Sequence, residues 1–183
     1  MRCYAICFLA LALAGCSSSP ATSSSSPGQG SPAEQTSVIV GGKKLAIDYS
    51  APSVRGRQIF GPGGLVSQDP TYPVWRAGAN AATRFHTDAD LEIGSLQVPK
   101  GDYTLYVLVQ NPESWQLIVN KEVGQWGLSY NASMDLGRVP MSMSKPSALI
   151  EKYKMTLSET GPSAAKLQLE WEQHVASVAI TLK

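Results

Sequence analysis

The stretch KYKMTLSETGPSAAKLQLEWEQHVASVAITLK (Lys152–Lys183) decides the fold class. Tyr153, Met155 and Leu157 alternate with Lys152, Lys154 and Thr156, and Gly161-Pro162 then turns the chain. Ala165, Leu167, Leu169 and Trp171 alternate with Lys166, Gln168, Glu170 and Glu172. After Gln173 and His174, the residues Ala176, Val178, Ile180 and Leu182 alternate with Ser177, Ala179 and Thr181. A repeat of two is the period of a strand with one buried face, and short turns between such runs predict an antiparallel meander.

The same period continues upstream. Tyr103–Gln110 is apolar on both faces and reads as a central strand; Asn111-Pro112-Glu113 then gives a turn signal before Trp115–Asn120, which predicts a hairpin. In Phe85–Ile93, the residues Phe85, Ala89, Leu91 and Ile93 fall on one face and His86, Asp88, Asp90 and Glu92 on the other. With Val38–Tyr49 added, the count reaches roughly seven to nine strands, and no long stretch has helical periodicity. The expectation is all-β: one antiparallel β-sandwich domain over 37–183, with Leu105, Val107, Leu117, Leu167, Leu169, Val178 and Ile180 on its inner faces. Ala51–Ala79 breaks the rhythm. It is rich in Pro and Gly, yet its Val54, Ile59, Phe60, Leu65, Val66, Tyr72, Val74 and Trp75 need burial, so it is expected to be ordered and functional or structural rather than a flexible loop.

The N-terminus reads MRCYAICFLALALAGCSSS. Arg2 precedes an uncharged apolar run from Cys3 to Ala14, too short for a spanning helix of roughly 20 residues and suited to a signal peptide over 1–15. Leu13-Ala14-Gly15-Cys16 resembles the lipobox of bacterial lipoproteins. That resemblance implies cleavage before Cys16, lipidation of its thiol and attachment to the cell envelope. Ser17, in place of the aspartate associated with inner-membrane retention, implies the outer membrane of a Gram-negative host. Residues 17–36 hold eight Ser, three Pro and two Gly, a composition that cannot bury enough apolar surface to order itself, so a disordered linker over 16–36 is expected.

Processing settles the cysteine and charge arithmetic. Cys3 and Cys7 leave with the leader and Cys16 carries lipid, so thiol and redox chemistry are ruled out for the folded part. Loss of Arg2 leaves 14 basic and 14 acidic residues, which excludes nucleic-acid binding driven by bulk charge. Two histidines make a Cys/His zinc site untenable. No cofactor is implied.

The segments DYSAPSVRGRQIFG (Asp48–Gly61), VWRAGANAAT (Val74–Thr83), VPKGDYTLYVLVQNPESWQLIVNK (Val98–Lys121) and the terminal LQLEWEQHVASVAI resemble domain-of-unknown-function family 2911 of secreted bacterial proteins. The resemblance covers nearly all of the folded part. It implies a β-rich extracytoplasmic domain and no particular activity. GGLVSQDPTYP, ahead of Trp75, is longer than the loop expected there.

Arginine carries the most chemical information. Arg55, Arg57, Arg76 and Arg84 fall in a window whose only acid is Asp69. Planar guanidinium groups recognise carboxylate, phosphate or sugar oxygens. One reading is a ligand pocket formed where Asp48–Phe60 packs on Trp75–Thr83, lined by Arg57, Arg76 and Asn80, walled by Tyr49 and Trp75, with Asp48 orienting one arginine. The other is that the arginines brace the loop, pairing with Asp48, Asp102 or Asp135 and capping carbonyls. His86, Asp88, Asp90 and Glu92 are spread too far along a strand to wrap a calcium ion. Met141 and Met143 have soft-metal character but read as packing, and Trp115, Trp126 and Trp171 read as core rather than a sugar platform. No nucleophile-elbow, Ser-x-x-Lys or metalloprotease motif occurs. Three functions remain open: a non-catalytic binding module for a sugar or small anion, an assembly lipoprotein docking another envelope protein, and a hydrolase of envelope polymers. No catalytic residue is assigned.

Overall fold

A computed structural model describes residues 30–183. The leader, Cys16 and most of the Ser/Pro-rich tether lie outside the described residues.

The alternating sequences form two antiparallel sheets packed face to face. The strands are β1 (Ala33–Val40), β2 (Lys43–Ser50), β3 (Val74–Trp75), β4 (Thr83–Thr87), β5 (Leu91–Ile93), β6 (Leu96–Val98), β7 (Gly101–Asn111), β8 (Ser114–Asn120), β9 (Asp135–Pro140), β10 (Ser142–Ser144), β11 (Ile150–Gly161), β12 (Ala164–Glu172) and β13 (His174–Leu182). The first sheet runs β1-β2-β4-β7-β8-β9, with β3 on β7 beyond the end of β4. The second runs β11-β12-β13-β5-β6, with β10 beside β5 on the same edge of β13. The thirteen strands among the described residues exceed the expected seven to nine because β3, β5, β6 and β10 have only two or three residues each, too few to show a period.

All seven residues expected on the inner faces are buried there. The central β7 is covered on both sides. Its outward Tyr106 packs with Val74 and Ile118 in a second small core, together with Ala82, Leu108 and Tyr130. Tyr130 belongs to Lys121–Met134, a strap that crosses the outer face of the first sheet. Fully buried Asn120 holds the strap, its Nδ2 donating to Asn131 O and Asp135 Oδ1 and its Oδ1 accepting from Glu122 N.

Two expectations need correction. The first strand begins at Ala33, ahead of the domain boundary placed at Ser37. Glu34, Gln35 and Thr36 look like linker but find partners: Glu34 meets Tyr49 and Lys152, Gln35 donates to Asp48, and Thr36 Oγ1 accepts from Leu157 N at 3.1 Å. With Tyr49 OH accepting from Met155 N at 3.2 Å, these contacts cover the free edge of β11. Second, Phe85–Ile93 is not one strand. The chain crosses from one sheet to the other at Asp88–Asp90, after Thr87, whose buried hydroxyl both donates to Ala89 O and accepts from Ala89 N.

The irregular 51–79 segment is ordered. Ser53 bridges to Lys152 in β11, Val54 N donates to Glu151 O, and Val54, Ile59, Phe60, Val66, Val74 and Trp75 are buried. It closes one end of the sandwich.

Candidate functional site

That end is built from aromatic rings. Trp75 stacks on Trp171 at 5.7 Å and 21°, while Phe60 meets Trp75 edge-on at 5.4 Å and Trp171 at 5.7 Å. His174 is the polar member of the cluster. It lies flat on Trp115, with ring centroids 5.2 Å apart and 16° between planes, and Phe60 stands against it at 4.9 Å. The arrangement follows from a two-residue hairpin between β12 and β13, in which Trp171 pairs with His174. Glu172 takes φ +55° there, a conformation that disfavours side chains with a Cβ. Its carboxylate compensates by accepting from Ile59 N at 3.0 Å and by lying 3.4 Å from His174 Nδ1.

His174 opens on a cavity of about 500 Å³, lined also by Gln173, by Met143, Ser144 and Lys145 of the β10 end, and by Pro112 and Glu113 of the β7–β8 turn. The register sets Met143 opposite Ala176 and Ser144 opposite Val175, which carries Lys145 to the level of His174. Burial holds the His174 pKa below its ordinary value; Lys145 pushes the same way and Glu172 opposes. The imidazole is therefore neutral at pH 7, fixed between rings and a carboxylate. Lys145 adds an ammonium group and Gln173 an amide, donors suited to anionic or hydroxyl-bearing ligands, with the Glu113 carboxylate as an acceptor. Acyl-transfer chemistry fits poorly. Ser144 and His174 project from opposite faces of the β10–β13 pair, so the serine is not placed to give its proton to the imidazole.

The residues expected to bind ligand are divided. Asp48–Phe60 and Trp75–Thr83 do pack together, through Phe60 on Trp75 and through Gly78, where a Cβ would stand 2.8 Å from Ser50 O. The arginines nevertheless point apart. Arg57 caps its own turn, with Nε on Val54 O and Nη2 on Ser53 O. Arg76 pairs with Asp69 at 2.9 Å and presses so closely on Gly127 that a Cβ there would strike its Cδ. Asn80 donates to Ser31 O, and the Trp75 indole donates to Gly78 O. Asp48 and Tyr49 line a separate cavity of about 340 Å³ with Ser50, Arg84 and Gln125. Tyr49 also borders one of about 450 Å³ beside Glu34 and Lys152, and burial pushes its hydroxyl up to about 12. Arg57, Arg76, Asn80 and Trp75 line none of these three cavities.

On the outer face, His86 contacts Asp88 and Asp102, Arg84 shares Asp102, Asp90 accepts from Lys100 N and Glu92 meets Lys183. Among the described residues, no group of three or more His, Asp and Glu is placed to hold a metal ion. Met141 is buried and Met143 packs on the core. Trp115 and Trp171 are core as expected, but Trp126 is 56% exposed. The Lys145–His174 grouping escapes sequence reading because its members come from two turns and a three-residue strand; the Glu-Gln pair in a tight hairpin, where Asn-Gly is the favoured filling, is the one local signal.

The chain belongs to the family described as "Protein of unknown function (DUF2911)", whose model matches residues 31–180. No curated protein and no solved structure matches the chain.

Proposed function

We propose that this DUF2911 domain is a non-catalytic binding module for a small polar or anionic ligand, anchored in the outer membrane of the bacterial envelope by lipid on Cys16. One observation carries the binding reading: Lys145, Gln173 and a rigidly held, neutral His174 converge on one cavity of about 500 Å³ at the loop-bearing end. Polar groups beside an apolar lining are the usual make-up of a small-molecule site, and strained backbone at Glu172 is the kind of feature that clusters at such sites. The seat is thus shifted from the arginines, whose guanidinium groups meet Asp69, Asp102 and backbone carbonyls, to the lysine and histidine across the ring cluster. The lipid anchor is supported by the Leu13-Ala14-Gly15-Cys16 pattern.

Thermal melts against a panel of neutral sugars, sugar phosphates and small carboxylates test the binding reading. At least one panel member should raise the melting temperature of the wild type and leave that of Lys145→Met unmoved. A wild type indifferent to the whole panel, or a shift that survives Lys145→Met, would overturn the assignment.

A further inference from the structure

The strap and the root of the tether meet at one residue, Asn80. Its side-chain Nδ2 donates to Ser31 O, and Pro32 O accepts from Ala51 N just before β1 begins. The Asn80 backbone carbonyl accepts from Gly127 N at 3.1 Å, Ala81 bridges to Trp126, and Ala82 N donates to Gln125 O. The point where the chain joins the fold therefore lies next to Trp126.

Trp126 is also unlike the other tryptophans. Trp75, Trp115 and Trp171 are at most 2% exposed, whereas Trp126 is 56% exposed and Val123, on the same strap, 48%. An exposed indole has an apolar body and one N–H donor, the make-up that favours the layer between lipid headgroups and acyl chains.

We infer that this corner of the domain rests on the lipid bilayer, with Trp126 seated at headgroup level and Val123 beside it. The inference rests on the lipid anchor at Cys16 and supplies the orientation that the anchor alone leaves free. Fourteen residues separate Cys16 from Ser31. Whatever its conformation, a stretch of that length reaches no farther than about 50 Å. The tether root is thus confined near the surface, and a contact too weak to bind a free protein becomes effectively intramolecular. The occupant is a lipid surface because Trp126 and Val123, two of the five exposed large apolar residues among those described, sit on the strap where the lipid-bearing chain leaves the fold. Exposed Ile39 lies near the far end of β1 and takes no part.

The test uses the full chain, purified after expression in a bacterial host and weighed to verify acylation. It is reconstituted into phosphatidylcholine vesicles with plain or brominated acyl chains. Brominated lipid should quench part of the tryptophan emission of wild type and none of that of Trp126→Phe, since the three remaining indoles are buried in the core. Quenching of the Trp126 contribution by aqueous iodide should fall by about half on reconstitution as the indole leaves bulk water. Acylated, vesicle-bound protein whose emission ignores brominated lipid and whose iodide quenching is unchanged would overturn the orientation while leaving the anchor intact. A chain whose mass shows no acyl groups would overturn the anchor, and the orientation with it, before any fluorescence is read.

Discussion

His174 lies parallel to Trp115, ring centroids 5.2 Å apart, and its Nδ1 stands 3.4 Å from the Glu172 carboxylate. A histidine placed this way trades hydration for ring contacts and one carboxylate. The burial outweighs the neighbouring charge, so the neutral form is favoured. The other histidine is its opposite. His86 sits on the outer face between Asp88 and Asp102, which raise its pKa by hydrogen bonding.

The two histidines should therefore titrate on opposite sides of 6.5, the ordinary histidine value. Since they are the only two in the chain, their imidazole C2 proton resonances read this directly. The signs for stability also differ. The unfolded chain protonates position 174 before the native state does, so His174 makes the fold lose stability as pH falls below 6.5. His86 contributes stability that is fully present below 6.5 and is lost as pH rises through its raised native value. Two resonances titrating together would show that the Trp115 stack does not shield His174.

Arg76 and Arg84 should respond differently to lysine. The Arg76–Asp69 pair is partly buried, with side-chain exposures of 16% and 21%, and the Arg76 stem packs over Gly127. Arg76→Lys loses the planar fork and part of that packing, and should cost about 1–3 kcal/mol in urea unfolding. Arg84 meets Asp102 on the exposed face, so Arg84→Lys should stay within about 0.5 kcal/mol of wild type. Equal effects would mean that Arg76 does not brace the loop.

Leu117 tests the core. It is fully buried on the inner face of β8, opposite Val107 in β7 and Val139 in β9. Leu117→Ala should cost about 2–5 kcal/mol, with circular dichroism still that of β-structure. A loss under about 1 kcal/mol would show a core able to collapse around the gap.

The sandwich was legible in the sequence wherever one face is buried and the strand is long, as in β11–β13, because burial of alternate residues imposes period two. It was legible for β7 through apolar residues on both faces, which the strap over Tyr106 explains. It failed at Phe85–Ile93, where alternation continues across a change of sheet: Phe85 and Leu91 are both buried, but they belong to different sheets. The site was less legible for a related reason. Arginine content drew attention to the 51–79 segment, yet partner choice depends on which loop carbonyls and acids fold back, and Asp69 and the Ser53–Val54 carbonyls are local partners that composition cannot rank. Lys145 and His174 stand 29 positions apart and meet only through the β10–β13 register.

Asn120 should control the strap more than the sandwich. Its amide satisfies Asn131 O, Asp135 Oδ1 and Glu122 N from a fully buried position on β8. Thr104 reinforces it by donating to Glu122 O at 2.6 Å, and Gln125 Nε2 reaches both Thr104 Oγ1 and Tyr106 OH. Asn120→Ala leaves the Glu122 N–H without its partner beneath the strap and removes one of the two donors to Asn131 O, which keeps Met134 N, and should cost about 1–3 kcal/mol. Much of that cost can be relieved by letting the strap lift and hydrate those groups, since the main core beneath is sealed by separate residues. Amide exchange should therefore accelerate at Glu122, Gln125 and Gly127 well before it does at Leu105 or Leu169. Because Trp126 rides on this strap, its emission should also move toward that of a freely hydrated indole. Uniform acceleration across both sheets would show instead that the strap and sandwich open as one unit, and would place Asn120 in the global core.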